Sequence, residues 1–207
     1  MEQPSNNNEE TDWKPYYETH TMPDESLQQA VHKYLPNGGI ALDLGAGNLR
    51  DTKFLLEKGF TVTAVDPSPD SYTYAEKLNN EKLTFVQKLA GYFEYPKDHF
   101  DLVNVQNLLS LFPKQRFDGI LKAIRSTIKP GGILCASFLG PNDDWKRDGQ
   151  PLTFLTKEDI ALLFPDFEIL DEIETEEDSV PAQKQIAGLD EPKHWHLINI
   201  IARKKTT

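Results

Sequence analysis

The stretch Ile40-Ala41-Leu42-Asp43-Leu44-Gly45-Ala46-Gly47-Asn48, with Val62-Thr63-Ala64-Val65-Asp66 behind it, constrains this chain more than any other feature. It reads as an apolar strand, a glycine turn that opens a helix, and a second apolar strand that ends in an acid. Glycines at such a turn let a ligand come close to bare backbone, because no Cβ intervenes. An acid about 20 residues further on, at the tip of the next parallel strand, suits the hydroxyls of a ribose. The unit is half of a nucleoside site.

Around it, helical and strand patterns alternate from residue 24 to about residue 170, the signature of an α/β fold with a mainly parallel sheet. The spacing predicts helices over Asp24–Leu35, Thr52–Lys58, Ser71–Leu78 and Arg116–Ile128. It predicts strands over Ile40–Leu44, Phe60–Val65, Leu83–Gln87, Phe100–Val105 and Ile133–Phe138. Lys129-Pro130-Gly131-Gly132 reads as a helix stop. A polar loop over 140–152 follows, then a helix over Thr156–Leu163, with Thr156 as N-cap and Asp159 as a near-miss of the capping box. Two last strands, Phe167–Ile173 and His196–Ala202, are joined by the acidic run Glu174-Thr175-Glu176-Glu177-Asp178, read as a solvated hairpin edge.

A length of 207 residues suits a single domain. No apolar run approaches the ~20 residues that span a bilayer. Residues 1–12 are polar, without the basic start and apolar centre of a secretory signal, and are expected to be disordered. The single cysteine, Cys135, lies in the apolar run 132–138 and reads as a buried residue rather than a nucleophile. These features point to a cytoplasmic protein. The net charge of −11 and a pI near 4.9 repel phosphate backbones, and Arg203-Lys204-Lys205 reads as a solubilising tail. A small-molecule partner is expected, with no nucleic acid and no membrane; the oligomeric state stays open.

A dinucleotide turn wants glycine or alanine three residues after its second glycine. Here that position is Arg50, and no Gly-Lys-Ser/Thr follows either, so the pyrophosphate fingerprints are incomplete. With Asp43 two residues before Gly45, the string Asp43-Leu44-Gly45-Ala46-Gly47 instead resembles the first motif of class I S-adenosylmethionine-dependent methyltransferases. The resemblance runs on through Asp66, Phe100-Asp101-Leu102-Val103, and Leu121 to Lys129-Pro130-Gly131-Gly132-Ile133-Leu134.

That resemblance implies one Rossmann-like domain with seven strands in the order 3-2-1-4-5-7-6, the last antiparallel, and helices on both faces. It implies S-adenosylmethionine as cofactor and S-adenosylhomocysteine as product. Asp43 would organise the turn, Gly45, Ala46 and Gly47 would pack against the cofactor, Asp66 would bind the ribose and Pro67 would flank the adenine. Leu89-Ala90 stands where the family commonly has an acid near the adenine, and would cover that base by apolar contact and backbone bonds. Gln106 would lie near the methionine part, and its neighbours lack the Pro-Pro of the amino-methylating members. The segment Trp13-Lys14-Pro15-Tyr16-Tyr17 resembles the start of small bacterial-type methyltransferases, including the tellurite-resistance type. There Tyr17 and Tyr16 would close the pocket, within a strap and helix over 13–36.

Topology adds an acceptor side. Ligands of open α/β sheets bind beyond the carboxyl ends of parallel strands. If the last strand is antiparallel, Lys193-His194-Trp195-His196 reaches that edge, facing Asp143, Asp144 and Trp145 across a gap. Such a group could hold a cationic or hydroxylated substrate, with His194 or His196 as base; a structural capping role is the alternative. No metal is expected, since the two histidines lack a third ligand at a telling spacing. Methyl transfer to a small molecule is the leading function. An aminopropyl-type transferase and a non-catalytic cofactor-binding module on the same fold are the alternatives.

Overall fold

The computed structural model describes residues 20–178 and 193–206. Tyr16, Tyr17 and the polar 1–12 segment lie outside them. Helix α1 (Glu25–Tyr34) begins where the Asp24 carboxylate accepts the N–H groups of Ser26 and Leu27. Strand β1 (Ile40–Leu44), helix α2 (Arg50–Glu57), β2 (Thr61–Val65), helix α3 (Pro69–Leu78) and β3 (Leu83–Val86) follow. Then come β4 (Phe100–Val105), α4 (Lys114–Thr127), β5 (Ile128–Leu139), the short α5 (Asp144–Arg147), α6 (Lys157–Leu163), β6 (Phe167–Asp178) and β7 (His194–Lys204). The sheet order is β3-β2-β1-β4-β5-β7-β6, with β7 antiparallel to both its neighbours and the pairs from β3 to β5 parallel. This is the implied Rossmann-like topology.

Alternation along the strands sends side chains to two cores. Ala41, Leu102, Ile133, Cys135 and Ile201 pack with Leu27, Ala30 and Val31 of α1 and Leu55 of α2. Leu42, Val103, Leu134, Ala136, Ile198 and Ile200 pack with Phe117, Leu121 and Ile124 of α4 and Ile160 of α6. Burial pushes the Cys135 thiol well above its ordinary pKa, as expected of an inert core residue. No helix among the described residues is long and apolar enough to cross a membrane.

Four local expectations change. Lys129-Pro130-Gly131-Gly132 does not separate helix from strand. α4 ends at Thr127 and β5 already pairs Ile128 with Phe100, carrying the four residues as an irregularity before Ile133 meets Leu102. The acidic run 174–178 is a solvated edge, as expected, but it does not connect two strands: it continues β6, the edge strand of the sheet, paired residue by residue with 194–198. Side-chain hydrogen bonds across the ladder hold it: His196 with Glu174, and His194 with Glu176 and Asp178. The capping box of α6 is complete, because Asp159 reaches back to the Thr156 N–H while Thr156 caps Asp159. The basic tail is partly structural: Arg203 and Lys204 belong to β7, and the Lys204 ammonium donates to the carbonyls of Arg125 and Ile128 at the end of α4.

The irregularity in β5 depends on Gly132, where a Cβ would lie 2.8 Å from Ile128 Cγ2 and 3.1 Å from the Phe100 carbonyl oxygen. Gly132→Ala is expected to lower stability by about 1–3 kcal/mol through overpacking. Urea denaturation checks this; an unchanged midpoint would show that the irregularity relaxes freely.

Candidate functional site

A cavity of about 1020 Å³ opens beyond the carboxyl ends of β1, β2 and β4 and runs on over β5, β7 and β6. Its inner end is formed by the start of α1, the turn Gly45–Asn48, Asp51, Asp66–Asp70 and Gln106. Its outer end is formed by Ser137–Leu139, Trp145, and alternate residues of β6 and β7.

The turn adopts left-handed backbone at Gly45 (φ 78°) and Gly47 (φ 51°), which favours glycine at both places. The N–H groups of Gly45, Ala46 and Gly47 are already bonded. Gly45 and Ala46 donate to the Val65 carbonyl, at 2.8 and 3.2 Å, and Gly47 donates to Asp66 Oδ2 at 2.9 Å. A loop that cradles phosphate needs such N–H groups aimed at the anion; this one spends them on β2. Asp66 also accepts from the Ser68 N–H and the Ser71 hydroxyl, both through Oδ1. Its carboxylate therefore stands rigidly at the tip of β2, in the cavity wall beside Pro67.

Beneath the turn lies a buried polar cluster on the α1 side of the sheet. Asp43 pairs with Asn104 across β1 and β4. Its Oδ2 accepts the Thr52 hydroxyl at 2.5 Å, and its Oδ1 accepts Asn104 Nδ2 at 2.9 Å. The same amide nitrogen lies 3.2 Å from Asp51 Oδ2, while Asp51 Oδ1 accepts the Asp24 N–H at the start of α1. Burial, and then the nearby Asp51 charge, raise the Asp43 pKa to about 7; burial raises that of Asp51 as well. Asp43 itself does not line the cavity.

Because Asn104 Nδ2 is committed to the acids, its Oδ1 is left to accept Gln106 Nε2 at 3.2 Å; Ser26 Oγ accepts the same group at 3.1 Å. Gln106 Oε1 then has no partner although it is buried, and the residue lines the cavity. A buried acceptor left open at the wall of a cavity is a docking point for a donor.

At the outer end the structure brings the expected residues together but gives them different tasks. Asp143, fully buried, accepts from Lys193 Nζ at 2.6 Å, from the Trp145 N–H and from the His196 N–H. Asp144 accepts the His194 N–H and pairs with Arg147. The buried Lys193 ammonium lies 4.4 Å from the Trp145 ring centre and 3.5 Å from that of Trp195, and the two indoles meet edge to face at 5.1 Å. Burial pulls the pKa of Lys193 down, against the pull of Asp143. The two acids thus hold the chain rather than stand open to a ligand. Trp145 and Trp195 do line the cavity.

His194 and His196 alternate with Trp195 and face the other side of β7, away from the cavity. His196 is buried, accepts the Asn142 N–H at Nδ1, and directs Nε2 to Glu174 at 2.8 Å. Its ring packs so closely on Gly140 that a Cβ there would lie 2.3 Å away. Asp178 and then Glu176 raise the pKa of His194. Glu174, Glu176 and His196 bring their ligand atoms within 4.8 Å of one another. Since Nδ1 of His196 accepts an N–H, however, its ring proton sits on Nε2, where a metal would bind. Leu89, half exposed, and Ala90, buried against the core, are not in the cavity wall among the described residues.

Sequence reasoning missed Asp51, Asn104 and Ser26. Asp51 had a signal, an acid in the first turn of the helix that the glycine turn opens. Asn104 had another, a polar residue inside an apolar strand. Lys193 was expected opposite Asp143, but its burial as that acid's counter-ion was not readable, because the two stand 50 residues apart in the chain.

Comparison with known proteins agrees with this architecture. Residues 41–132 match a family model described as a methyltransferase domain. An uncharacterized methyltransferase of Synechocystis is 30% identical over 126 residues, 61% of this chain and 56% of the relative, so the match spans little more than half of that relative's length. Among solved structures, TehB from Haemophilus influenzae is similar with a TM-score of 0.71 at 16% identity, over 93% of this chain and 66% of that one. A 1,6-didemethyltoxoflavin-N1-methyltransferase from Burkholderia thailandensis, with bound 1,6-didemethyltoxoflavin and S-adenosylhomocysteine, gives 0.65 at 23% identity, over 88% and 79%. The N-methyltransferase NodS of Bradyrhizobium japonicum gives 0.66 at 16%, over 88% and 87%.

The raised pKa of Asp43 has a thermodynamic sign. Between about pH 4 and pH 7 the unfolded carboxyl is ionised while the folded one keeps its proton. The group's contribution is complete below its unfolded pKa and is lost as pH rises through about 7. Asp43→Asn is therefore expected to gain on the parent protein, by on the order of a few kcal/mol, as pH rises from 4 to 7.5. Urea midpoints of both proteins across that range measure it. A constant difference would mean that Asp43 is ionised throughout.

Proposed function

We propose that this chain, which has the class I S-adenosylmethionine-dependent methyltransferase fold and carries a methyltransferase-domain segment, transfers the methyl group of S-adenosylmethionine to a small-molecule acceptor. The observation that carries this reading is the charge of the cavity. Asp24, Glu25, Asp51, Asp66 and Asp70 line its inner end, and no lysine or arginine lines it among the described residues. The Gly45, Ala46 and Gly47 N–H groups are bonded to β2 and Asp66, so they are not offered to a pyrophosphate. A cation bearing an ammonium and a ribose diol finds acceptors for all three.

The roles follow from the geometry. Asp66 has three donors on a carboxylate that offers about four acceptor sites, which leaves room on Oδ2 for a ribose hydroxyl. Pro67 flanks the adenine. Gln106 Oε1 accepts from the ammonium of the methionine part. Asp43 is a positioning residue: through Asn104 it orients Gln106, and through Thr52 it ties β1 to α2. Leu89 and Ala90 take no part in this arrangement, so the adenine is held by Pro67 and the backbone near it.

The bound cofactor supplies an electrophilic methyl group on a sulfonium. The protein's part is to hold the acceptor in line with it at the outer end, which makes the displacement effectively intramolecular. Trp145, Trp195 and Leu197 exclude water there. With His194 and His196 on the far side of β7, no described histidine of that strand serves as base, and the acceptor's proton passes to solvent. A single domain in the cytoplasm accords with the one buried thiol and the acidic surface.

Calorimetry with S-adenosylmethionine and S-adenosylhomocysteine tests the reading. Micromolar binding is expected, weakened at least tenfold in Asp66→Ala and in Gln106→Leu with unchanged circular dichroism. Absence of binding to the folded protein would reject it. A cation beside the buried acids favours their ionised forms, so S-adenosylmethionine affinity is expected to rise between pH 6 and pH 8. That rise is expected to flatten in Asp43→Asn; an equal slope in both proteins would assign the proton elsewhere.

A further inference from the structure

We infer that the acceptor is a neutral, planar heteroaromatic molecule with an adjacent hydrogen-bond donor and acceptor on one edge, as in a lactam, and that Asn199 reads that edge. This deepens, and rests on, the methyl-transfer reading above. Asn199 sits in the middle of β7, level with Ser137 of β5 on one side and Ile173 of β6 on the other. Its neighbours along the strand are apolar, Leu197-Ile198 before it and Ile200-Ile201-Ala202 after it. The fold alone would be served there by valine or isoleucine.

Most of the polar side chains around it are committed. Ser137 Oγ accepts the Asn107 N–H at 2.6 Å and donates to Asn107 Oδ1, and Ser110 Oγ accepts the Leu139 N–H. The Asn199 amide lines the cavity and makes no hydrogen bond among the described residues. It offers a C=O and an NH₂ side by side, a pair that matches an N–H next to a C=O, or a ring nitrogen next to an amine, by two parallel bonds.

The charge of the acceptor follows by elimination. An anion has no lysine or arginine partner among the described lining residues. A cation would find Asp143 bonded to Lys193 and Asp144 bonded to Arg147. The ring of Trp195 already carries the Lys193 ammonium at 3.5 Å, so a second cation there meets like charge. Glu177, across from Trp195, is exposed at the rim, where a solvated carboxylate attracts an ion only weakly. What remains is a neutral molecule. Ile173 lies across from Asn199, and Leu197 and then Trp195 follow on the same face of β7, an apolar and aromatic wall that suits a flat ring.

The test titrates the protein, saturated with S-adenosylhomocysteine, with four probes and follows tryptophan fluorescence. The probes are isoquinolin-1(2H)-one, isoquinoline, isoquinoline-1-carboxylate and phenethylamine. The lactam is expected to bind at least tenfold more tightly than isoquinoline, and both more tightly than the two ions. Asn199→Leu is expected to abolish the preference for the lactam while calorimetry shows unchanged S-adenosylhomocysteine affinity. Equal binding of lactam and isoquinoline by the parent protein would overturn the inference, as would a preference for either ion or a preference that survives Asn199→Leu. Binding of S-adenosylhomocysteine with none of the four probes bound would overturn it too, leaving methyl transfer standing. Failure of S-adenosylhomocysteine to bind would remove both.

Discussion

Asn104 donates one amide group to two buried carboxylates, and much of the inner site depends on that arrangement. Asp43 and Asp51 lie in a region of low dielectric where like charges repel strongly, and each would be costly to ionise alone. The amide stands between them, Thr52 serves Asp43 from α2, and the Asp24 N–H serves Asp51 from α1. The starts of α1 and α2 are thereby fastened to the carboxyl ends of β1 and β4. The other half of the Asn104 amide sets Gln106, so the direction of the open acceptor in the cavity wall is decided two hydrogen bonds away from it.

The outer end has its own buried charge, handled differently. Lys193 and Asp143 neutralise each other at 2.6 Å, with indole rings over the cation and backbone N–H groups on the anion. Removing one member of such a pair leaves the other unpaired and is far more damaging than replacing both. His196 closes the same corner by accepting the Asn142 N–H and supporting Gly140 with its ring. The loop after β5 is thus pinned to the start of β7, and the tryptophans are held at the cavity rim as a result.

Legibility in the sequence followed the range of the interactions. β1 and β4 were readable to the residue, because their limits are set by local apolar runs and turn residues. The glycine turn, Asp66, Pro67 and Gln106 reached the cavity for the same reason, as did Trp145 and Trp195 once β7 was taken as antiparallel. The length of β6 was not readable: five consecutive residues of which four are acids look like a loop until the histidines of β7 are set against them. Nor was the use of Asp143 and Asp144, since their partners come from β7, some 50 residues on. The side-chain alternation of His194, Trp195 and His196 was foreseeable; which face turned inward depended on the register with β5.

The order of the cavity wall along the chain has a consequence for how such a protein can change. Residues up to Leu111 and Ser137 to Asn199 contribute its two ends, and helix α4 and the start of β5 separate them. The inner end is tied down by a shared polar cluster in which each substitution disturbs several partners. On the outer end, Ile173, Thr175, Leu197 and Asn199 project from a regular two-stranded ladder whose backbone pairing is indifferent to what they carry. Descendants of this chain can therefore change the shape and polarity of the outer cavity by replacing a few residues of β6 and β7, with the polar cluster beneath the inner end left intact.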